Sequence, residues 1–247
     1  MENINSTYFD GYYKDLWRAV LPSELTPREI DFITNYFQLK PGSKVLDLMC
    51  GFGRHAIALA QKDIAVTAVD NLDYYIDEIK AIVEADNLPL TAIKADVASF
   101  TSTEVYDLAI CMGNSLCFFD KHDTIKILKE VASGLNSGGY FLINTWMIAE
   151  IAFNGFRERV WSEIESFKFL NESKYYFNPS RIETKHLILA PTGEVETKTA
   201  VDYIYSLGEM AEMLECSGFK MREVFSIPGK KRFSLGDARA YIIAEKK

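Results

Sequence analysis

The chain has 247 residues, 48% of them apolar, and a formal net charge of -8, enough to bury a sizeable core and about as much as one domain with an insertion holds. The acidic balance and the lack of any Lys/Arg-rich run speak against a nucleic-acid partner, whose phosphates must be neutralised. The start shows neither a basic leader nor an apolar stretch, and no apolar run approaches the ~20 residues that cross a bilayer, so a cytoplasmic protein without a membrane partner is expected.

Residues 1–22 contain YFDGYYKDLW. If this segment is helical, Tyr8 and Tyr12 share one face while Phe9, Tyr13 and Trp17 share another, so one stripe packs down and the other overhangs a pocket. With Gly11 as a hinge, the segment is expected to close over a ligand as a lid, Tyr8 and Tyr12 foremost. The run PREIDFITNYFQLKPGS predicts a helix with Thr26 as N-cap and Pro27 at its first position, stopped by Pro41-Gly42. Next come the β-branched runs SKVLDLM, IAVTAVD, LTAIKAD, YDLAICM and GYFLINTW, alternating with RHAIALAQK, YYIDEIKAIVEADN and HDTIKILKEVASGLN. That texture predicts a parallel sheet covered by helices on both faces. From about Trp161 to Ser206 the runs IESFKFL, KYYF, RIETKHLILA and VETKTAVDYIY, with NPS and PTG as turns, predict an antiparallel β insertion. LGEMAEMLECSGF, KMREVFSI and ARAYIIAEK then return to α/β texture, with Gly218 ending a helix and GKKRF reading as a solvated loop. The domain reading is therefore a lid over 1–22, an α/β domain over 23–150 and 207–247, and an insertion over 151–206.

The chemistry is carried by VLDLMCGFGRHA, which places Asp47, Gly51 and Gly53 where a strand runs into a helix, with small Ala56 at the packing contact. Glycines admit a ligand to the backbone, and the helix start offers free N–H groups to an anionic end. Dinucleotide enzymes share that pattern, and Asp47 separates the two cases. A carboxylate before the glycine turn repels a pyrophosphate but attracts the sulfonium and ammonium of S-adenosylmethionine. Asp70 then closes IAVTAVD, where an acid accepts two hydrogen bonds from a ribose diol, and Asp96 closes LTAIKAD, where it accepts from an adenine amino group while the Val97 amide meets a ring nitrogen. Each acid alone could equally cap the following helix. Three at successive strand ends favour a ligand. Four cysteines (Cys50, Cys111, Cys117, Cys216) without a C-x-x-C pair and three scattered histidines predict reduced, mostly buried thiols and no metal site.

Together VLDLMCGFGRHA, AVDNL, KADVASF, YDLAICMGNSLCFF and LNSGGYFLINTW resemble the successive motifs of class I S-adenosylmethionine methyltransferases, from roughly Thr26 to Trp146 and more loosely from Leu207 to Lys247. The resemblance implies an α/β, Rossmann-like seven-stranded sheet, mostly parallel with an antiparallel last strand, and S-adenosyl-L-methionine as cofactor. It implies cofactor contacts from Asp47, Cys50, Gly51, Gly53 and Arg54, from Asp70, Asn71, Asp96 and Val97, and from Met112, Gly113 and Asn114, with Tyr12 and Trp17 closing from the N-terminus.

The loop after the fourth strand, Gly113-Asn114-Ser115-Leu116, lacks the Pro-Pro-aromatic loop of base-methylating enzymes, the glutamate pair that grips a guanidinium and the acidic cluster that holds Mg2+. It resembles that of glycine N-methyltransferases and related small-molecule amine methyltransferases. Amino-sugar N-methyltransferases carry a histidine shortly afterwards, where Phe118 stands here. The general base therefore stays unassigned, with His122, Tyr12 and Asn114 as candidates, and His122 and His55 each also explained as a helix-start or packing side chain. Arg157, Arg181, Tyr175, Tyr176, Tyr203 and Tyr205 could wall a substrate pocket, and the insertion's strand edges point to a homodimer. The expected function is metal-independent methyl transfer to a nitrogen or oxygen of a small molecule. The competing readings are a non-catalytic cofactor-binding module and a nicotinamide-dependent oxidoreductase, the latter disfavoured by Asp47 and the missing third glycine.

Overall fold

The computed structural model describes residues 3–247, so the first two positions of the predicted lid lie outside the described residues. A 3-10 turn (Ile4–Thr7) leads into α1 (Gly11–Ala19) and α2 (Leu25–Tyr36). Then follow β1 (Lys44–Leu48), α3 (Arg54–Ala60), β2 (Ala65–Asp70), α4 (Asp73–Asp86), β3 (Leu90–Lys94), β4 (Tyr106–Cys111), α5 (Lys121–Gly134) and β5 (Leu135–Thr145). After α6 (Ala149–Gly155) come four antiparallel strands, β6 (Arg159–Ile164), β7 (Phe167–Phe177), β8 (Ser180–Leu189) and β9 (Val195–Tyr203). The chain ends with α7 (Leu207–Cys216), β10 (Phe219–Ile227), β11 (Lys231–Arg232) and β12 (Ala240–Lys246).

The main sheet has the order β11-β10-β12-β5-β4-β1-β2-β3. β3, β2, β1, β4 and β5 run parallel, and β12 lies antiparallel between β5 and β10. This is the mostly parallel Rossmann-like sheet with an antiparallel last strand that the motifs imply. It has one strand more than expected, because part of GKKRF is not a free loop: Lys231 and Arg232 pair with the end of β10, and Arg232 binds Glu223 at 2.7 Å. Alternate residues of each central strand enter opposite layers. Val45, Val66, Leu108 and Ile110 pack with α2 and α3, while Leu46, Leu48, Ala109 and Cys111 pack with α5. Both faces are dry, so the strands read as continuous apolar runs.

Helix ends follow local chemistry. The Asp120 carboxylate accepts from the Asp123 amide at 2.9 Å to start α5, Ser206 and Glu209 form a reciprocal capping box on α7, and Gly218 takes φ +91° just beyond it. α2 departs from expectation by beginning at Leu25, with Glu24 rather than Thr26 at its cap. Pro27 still falls in the first turn, where N–H groups have no intrahelical acceptor, so the helix extends upstream without losing a bond.

The predicted antiparallel insertion forms its own sheet, ordered β6-β7-β8-β9, and the N-terminal segment packs on it. Tyr8, Tyr13 and Leu16 bury against Phe169, Ile188 and Ala200. Tyr8 precedes α1, so it shares no helical face with Tyr12, and the predicted Tyr8/Tyr12 stripe does not form. Nor does Gly11 have the surroundings of a hinge: a Cβ there would strike the Glu196 carboxylate, which accepts from the Tyr12 amide at 2.9 Å and caps α1 from β9. Among the described residues no helix is long and apolar enough to cross a membrane.

Candidate functional site

Strand order reverses at β1, with β2 and β3 on one side and β4 and β5 on the other, the place where open α/β sheets bind ligands. Here the carboxyl ends of β1 to β4 open into a cleft. The glycine turn forms its floor. Gly53 takes φ +74°, and a Cβ there would lie 2.8 Å from the Ile79 side chain, so only glycine lets α3 seat this close to α4.

Asp47 is 1% exposed, and its Oδ2 has no hydrogen-bond partner in the protein. Burial pushes its carboxyl up to about 7; the Arg54 charge opposes the rise and Asp70 reinforces it. Asp70 accepts from the Gly51 amide at 2.8 Å and the Leu72 amide at 3.1 Å, and burial raises it above the ordinary carboxylate range. It thus pins the glycine turn and the start of α4, yet each oxygen keeps a lone pair. Asp96 is exposed at the rim and accepts from the Ala98 amide at 3.0 Å.

Below the turn lies a polar knot. Glu29, 1% exposed, accepts from Arg54 at 2.6 Å, from His55 at 2.9 Å and from the Tyr241 hydroxyl at 2.7 Å. Burial alone would raise the Glu29 carboxyl, but His55, Arg54 and Tyr241 bring it down to about 2. Burial lowers His55, which stands as a neutral imidazole donating to an ionised carboxylate.

The N-terminal segment spans the cleft. The Asn3 and Asn5 side chains donate to the Phe118 carbonyl, Asn71 donates to the Ser6 carbonyl at 3.0 Å, and Tyr74 donates to that of Phe9. Arg18 binds Glu78 of α4 at 2.5 Å and lies over the Phe52 ring. Phe9 and Trp17 face the cavity, so the Phe9/Trp17 side of the segment overhangs it.

Residues 45–139, which hold the glycine turn and the acids, match the family model described as a methyltransferase domain. Over that stretch the chain is similar to a methyltransferase domain, and its fold is shared with solved methyltransferases. Over 100 residues it is 31% identical to the S-adenosyl-L-methionine-dependent Diels-Alderase iliD of Neonectria sp. (strain DH2), covering 40% of this chain and 41% of that protein. The chain thus spans less than half the length of the curated relatives it matches first. Its fold is that of an S-adenosylmethionine-dependent methyltransferase from Clostridium acetobutylicum ATCC 824, with a TM-score of 0.82 at 17% identity over 95% of this chain and 96% of that one. It is also that of S-adenosylmethionine-bound CalS10, an amino pentose methyltransferase from Micromonospora echinaspora, with a TM-score of 0.73 at 14% identity over 96% and 98%. These relatives and solved structures are themselves named for S-adenosylmethionine.

Around the cleft the structure gathers Asp47, Cys50, Gly51 and Arg54, then Asp70, Asn71, Asp96 and Val97, and finally Met112, Gly113 and Trp17. It does not bring the remaining candidates there. Gly53 packs under α4. Tyr12 turns toward β9, where its hydroxyl bonds Glu194 and its ring packs on Phe167. Asn114 is 3% exposed and spends its side-chain oxygen on Thr145 Oγ1 and on the Trp146 and Met147 amides, which locks the loop after β4 to the end of β5. His122 is exposed beside Asp123 at the start of α5. Of the insertion residues, Tyr203 and Tyr205 line a separate small pocket, while Arg181 binds Glu183 and covers Tyr176. The sequence reading missed Glu29 and Tyr241, and the signal for Glu29 was legible: it is a charged residue beside Ile30 and Ile33 on the buried side of α2.

Proposed function

We propose that the protein holds S-adenosylmethionine across the carboxyl ends of β1 to β4 and transfers its methyl group, without a metal, to a nitrogen or oxygen of a small molecule. The observation that carries this reading is Asp47, a buried carboxylate lining the cleft with one oxygen that no protein group bonds. Leaving it unpaired is costly, and a ligand ammonium relieves that cost where a pyrophosphate would add to it. Asp70 is suited to ribose hydroxyls through its remaining lone pairs, Asp96 with Val97 to the adenine edge, and Met112 with Gly113 to the methyl end. When bound, the cofactor supplies a methyl group already activated on a sulfonium. Phe9 and Trp17 exclude water, and the walls fix the approach of the acceptor. His122 faces solvent and His55 is engaged by Glu29, which supports an acceptor that arrives as a neutral amine over an alcohol that needs a base.

Methyl-labelled cofactor incubated with a panel of amines, alcohols and phenols is expected to yield labelled product and S-adenosylhomocysteine, with calorimetry showing S-adenosylhomocysteine bound and NAD not. A relative named for a Diels-Alder activity makes the transfer step the one to test. Binding without label transfer to any acceptor would instead favour a cofactor-holding role. The outer edge of β6, with Trp161 66% exposed, supports a homodimer, for which light scattering on the protein and on Trp161→Glu is the check.

A further inference from the structure

Arg239 immediately precedes β12, beside the Ala240–Thr145 pair and so next to the carboxyl end of β5. Two chains of contact tie it to the cleft. Its guanidinium lies 5.3 Å from the centre of the Trp146 ring, and Trp146 packs on Trp17 at 6.0 Å with 36° between the planes. Trp17 lines the cleft and stands 3.7 Å from where a Cβ on Gly113 would be, at the methyl end of the proposed site. On its other side Arg239 reaches the Tyr241 hydroxyl, which donates to Glu29, the carboxylate already shared by Arg54 and His55.

The Glu29 carboxylate is engaged by Arg54, His55 and Tyr241, so Arg239 meets it only through the Tyr241 hydroxyl. No ion pair found among the described residues includes Arg239, and Asp237, two positions before it, is paired with Lys231. A guanidinium stacked on an indole gives up hydration on one face but keeps its planar edge of N–H donors, the geometry that takes an oxyanion in two parallel hydrogen bonds. We infer that the acceptor is an acidic small molecule, whose carboxylate or comparable oxyanion is held by Arg239 over Trp146 while its nucleophile reaches the Gly113 end of the cleft. This rests on the proposed function, because it takes the Gly113 end as the place of transfer.

The test uses the full chain saturated with S-adenosylhomocysteine and two flat probes of equal size, benzoate and benzamide. Binding is followed by calorimetry and by intrinsic tryptophan fluorescence. Benzoate is expected to bind about tenfold or more tighter than benzamide, as a charge-assisted pair of hydrogen bonds implies. Arg239→Met should bring benzoate to the level of benzamide, and Arg239→Lys should recover only part of the difference, since an ammonium lacks the fork. Equal binding of the two probes by the unaltered protein, failure of benzoate to bind, or benzoate binding unchanged in Arg239→Met would each overturn the inference. Failure of S-adenosylhomocysteine itself to bind would sink the proposed function first, so the two are separable, and the comparison of probes requires no variant to fold.

Discussion

At the scale of single residues, Asp47 makes ligand binding a titration. Its carboxyl stands at about 7 without ligand, and a ligand ammonium stabilises only the ionised form. Below that value binding must expel a proton. S-adenosylhomocysteine is therefore expected to bind about tenfold more weakly at pH 6 than at pH 8, with close to one proton released per ligand on the acid side, measured by calorimetry in buffers of different ionisation enthalpy. Asp47→Asn should flatten the profile as well as weaken binding, and a pH-independent affinity in the unaltered protein would remove Asp47 from the site. Asp70 has a double role. Asp70→Ala should cost roughly 2 to 4 kcal/mol of cofactor binding, from two lost hydrogen bonds to the ribose partly replaced by water. It also frees the Gly51 and Leu72 amides, so a modest fall in melting temperature is expected beside it. Early melting with normal binding would leave Asp70 as a structural pin only.

At the scale of elements, the N-terminal segment has two aromatic sides with different duties. Tyr8 donates to His186 Nε2 at 2.9 Å, because Asn171 Oδ1 takes the Nδ1 proton at 2.7 Å, and burial pushes the imidazole down to about 4. That side anchors the segment to the insertion. Tyr8→Phe should cost about 1 kcal/mol of stability, the worth of one buried hydrogen bond, with cofactor binding little changed. Trp17 is half-buried over the cleft, so Trp17→Ala should lose affinity for S-adenosylhomocysteine more than stability. Hydrogen exchange over residues 5–18 should slow when ligand is added, since Phe9 and Trp17 gain a surface to pack on. Protection that is already complete without ligand would make the segment a fixed wall rather than a closing one.

For the whole molecule, buried titratable groups set opposing limits on stability. Asp47 at about 7 and Asp202 at about 6 are both raised by burial, so their contribution is complete below the unfolded carboxylate range and is lost as pH climbs through those values. His186 works in the other direction. Lowered to about 4, it contributes fully above about 6.5 and loses that contribution as pH falls toward 4. Two carboxyls lose stability as pH rises where one imidazole gains it, so the ligand-free protein should melt progressively lower from about pH 4.5 to 7, with S-adenosylhomocysteine raising the alkaline limb most by giving Asp47 a partner. Scanning calorimetry between pH 4.5 and 8.5 checks this, and a ligand-induced shift that does not grow with pH would contradict it.

Much of this protein is written locally. Apolar runs such as VLDLM and YDLAICM specify the strands through burial on both faces, and Asp120 and Ser206 start their helices with groups a few residues away. Asp47, Asp70 and Asp96 are readable for the same reason, since each closes a strand whose end the topology must place at the crevice. The misreadings share another cause. Tyr12, Asn114 and His122 have chemically able side chains, but what each faces depends on Glu194, on Thr145 and on open solvent, none of which periodicity in the chain encodes. Glu29 meets Tyr241 across 212 positions, and Arg239 meets Trp146 and Trp17 only because β12 returns beside β5. The sequence by itself determined the layers of the fold and the acids that line the cleft, through short-range burial and charge. Which aromatics border that cleft, which carboxylate pairs with which guanidinium, and what Arg239 lies against were decided by contacts between distant segments, which only the tertiary structure brings within reach.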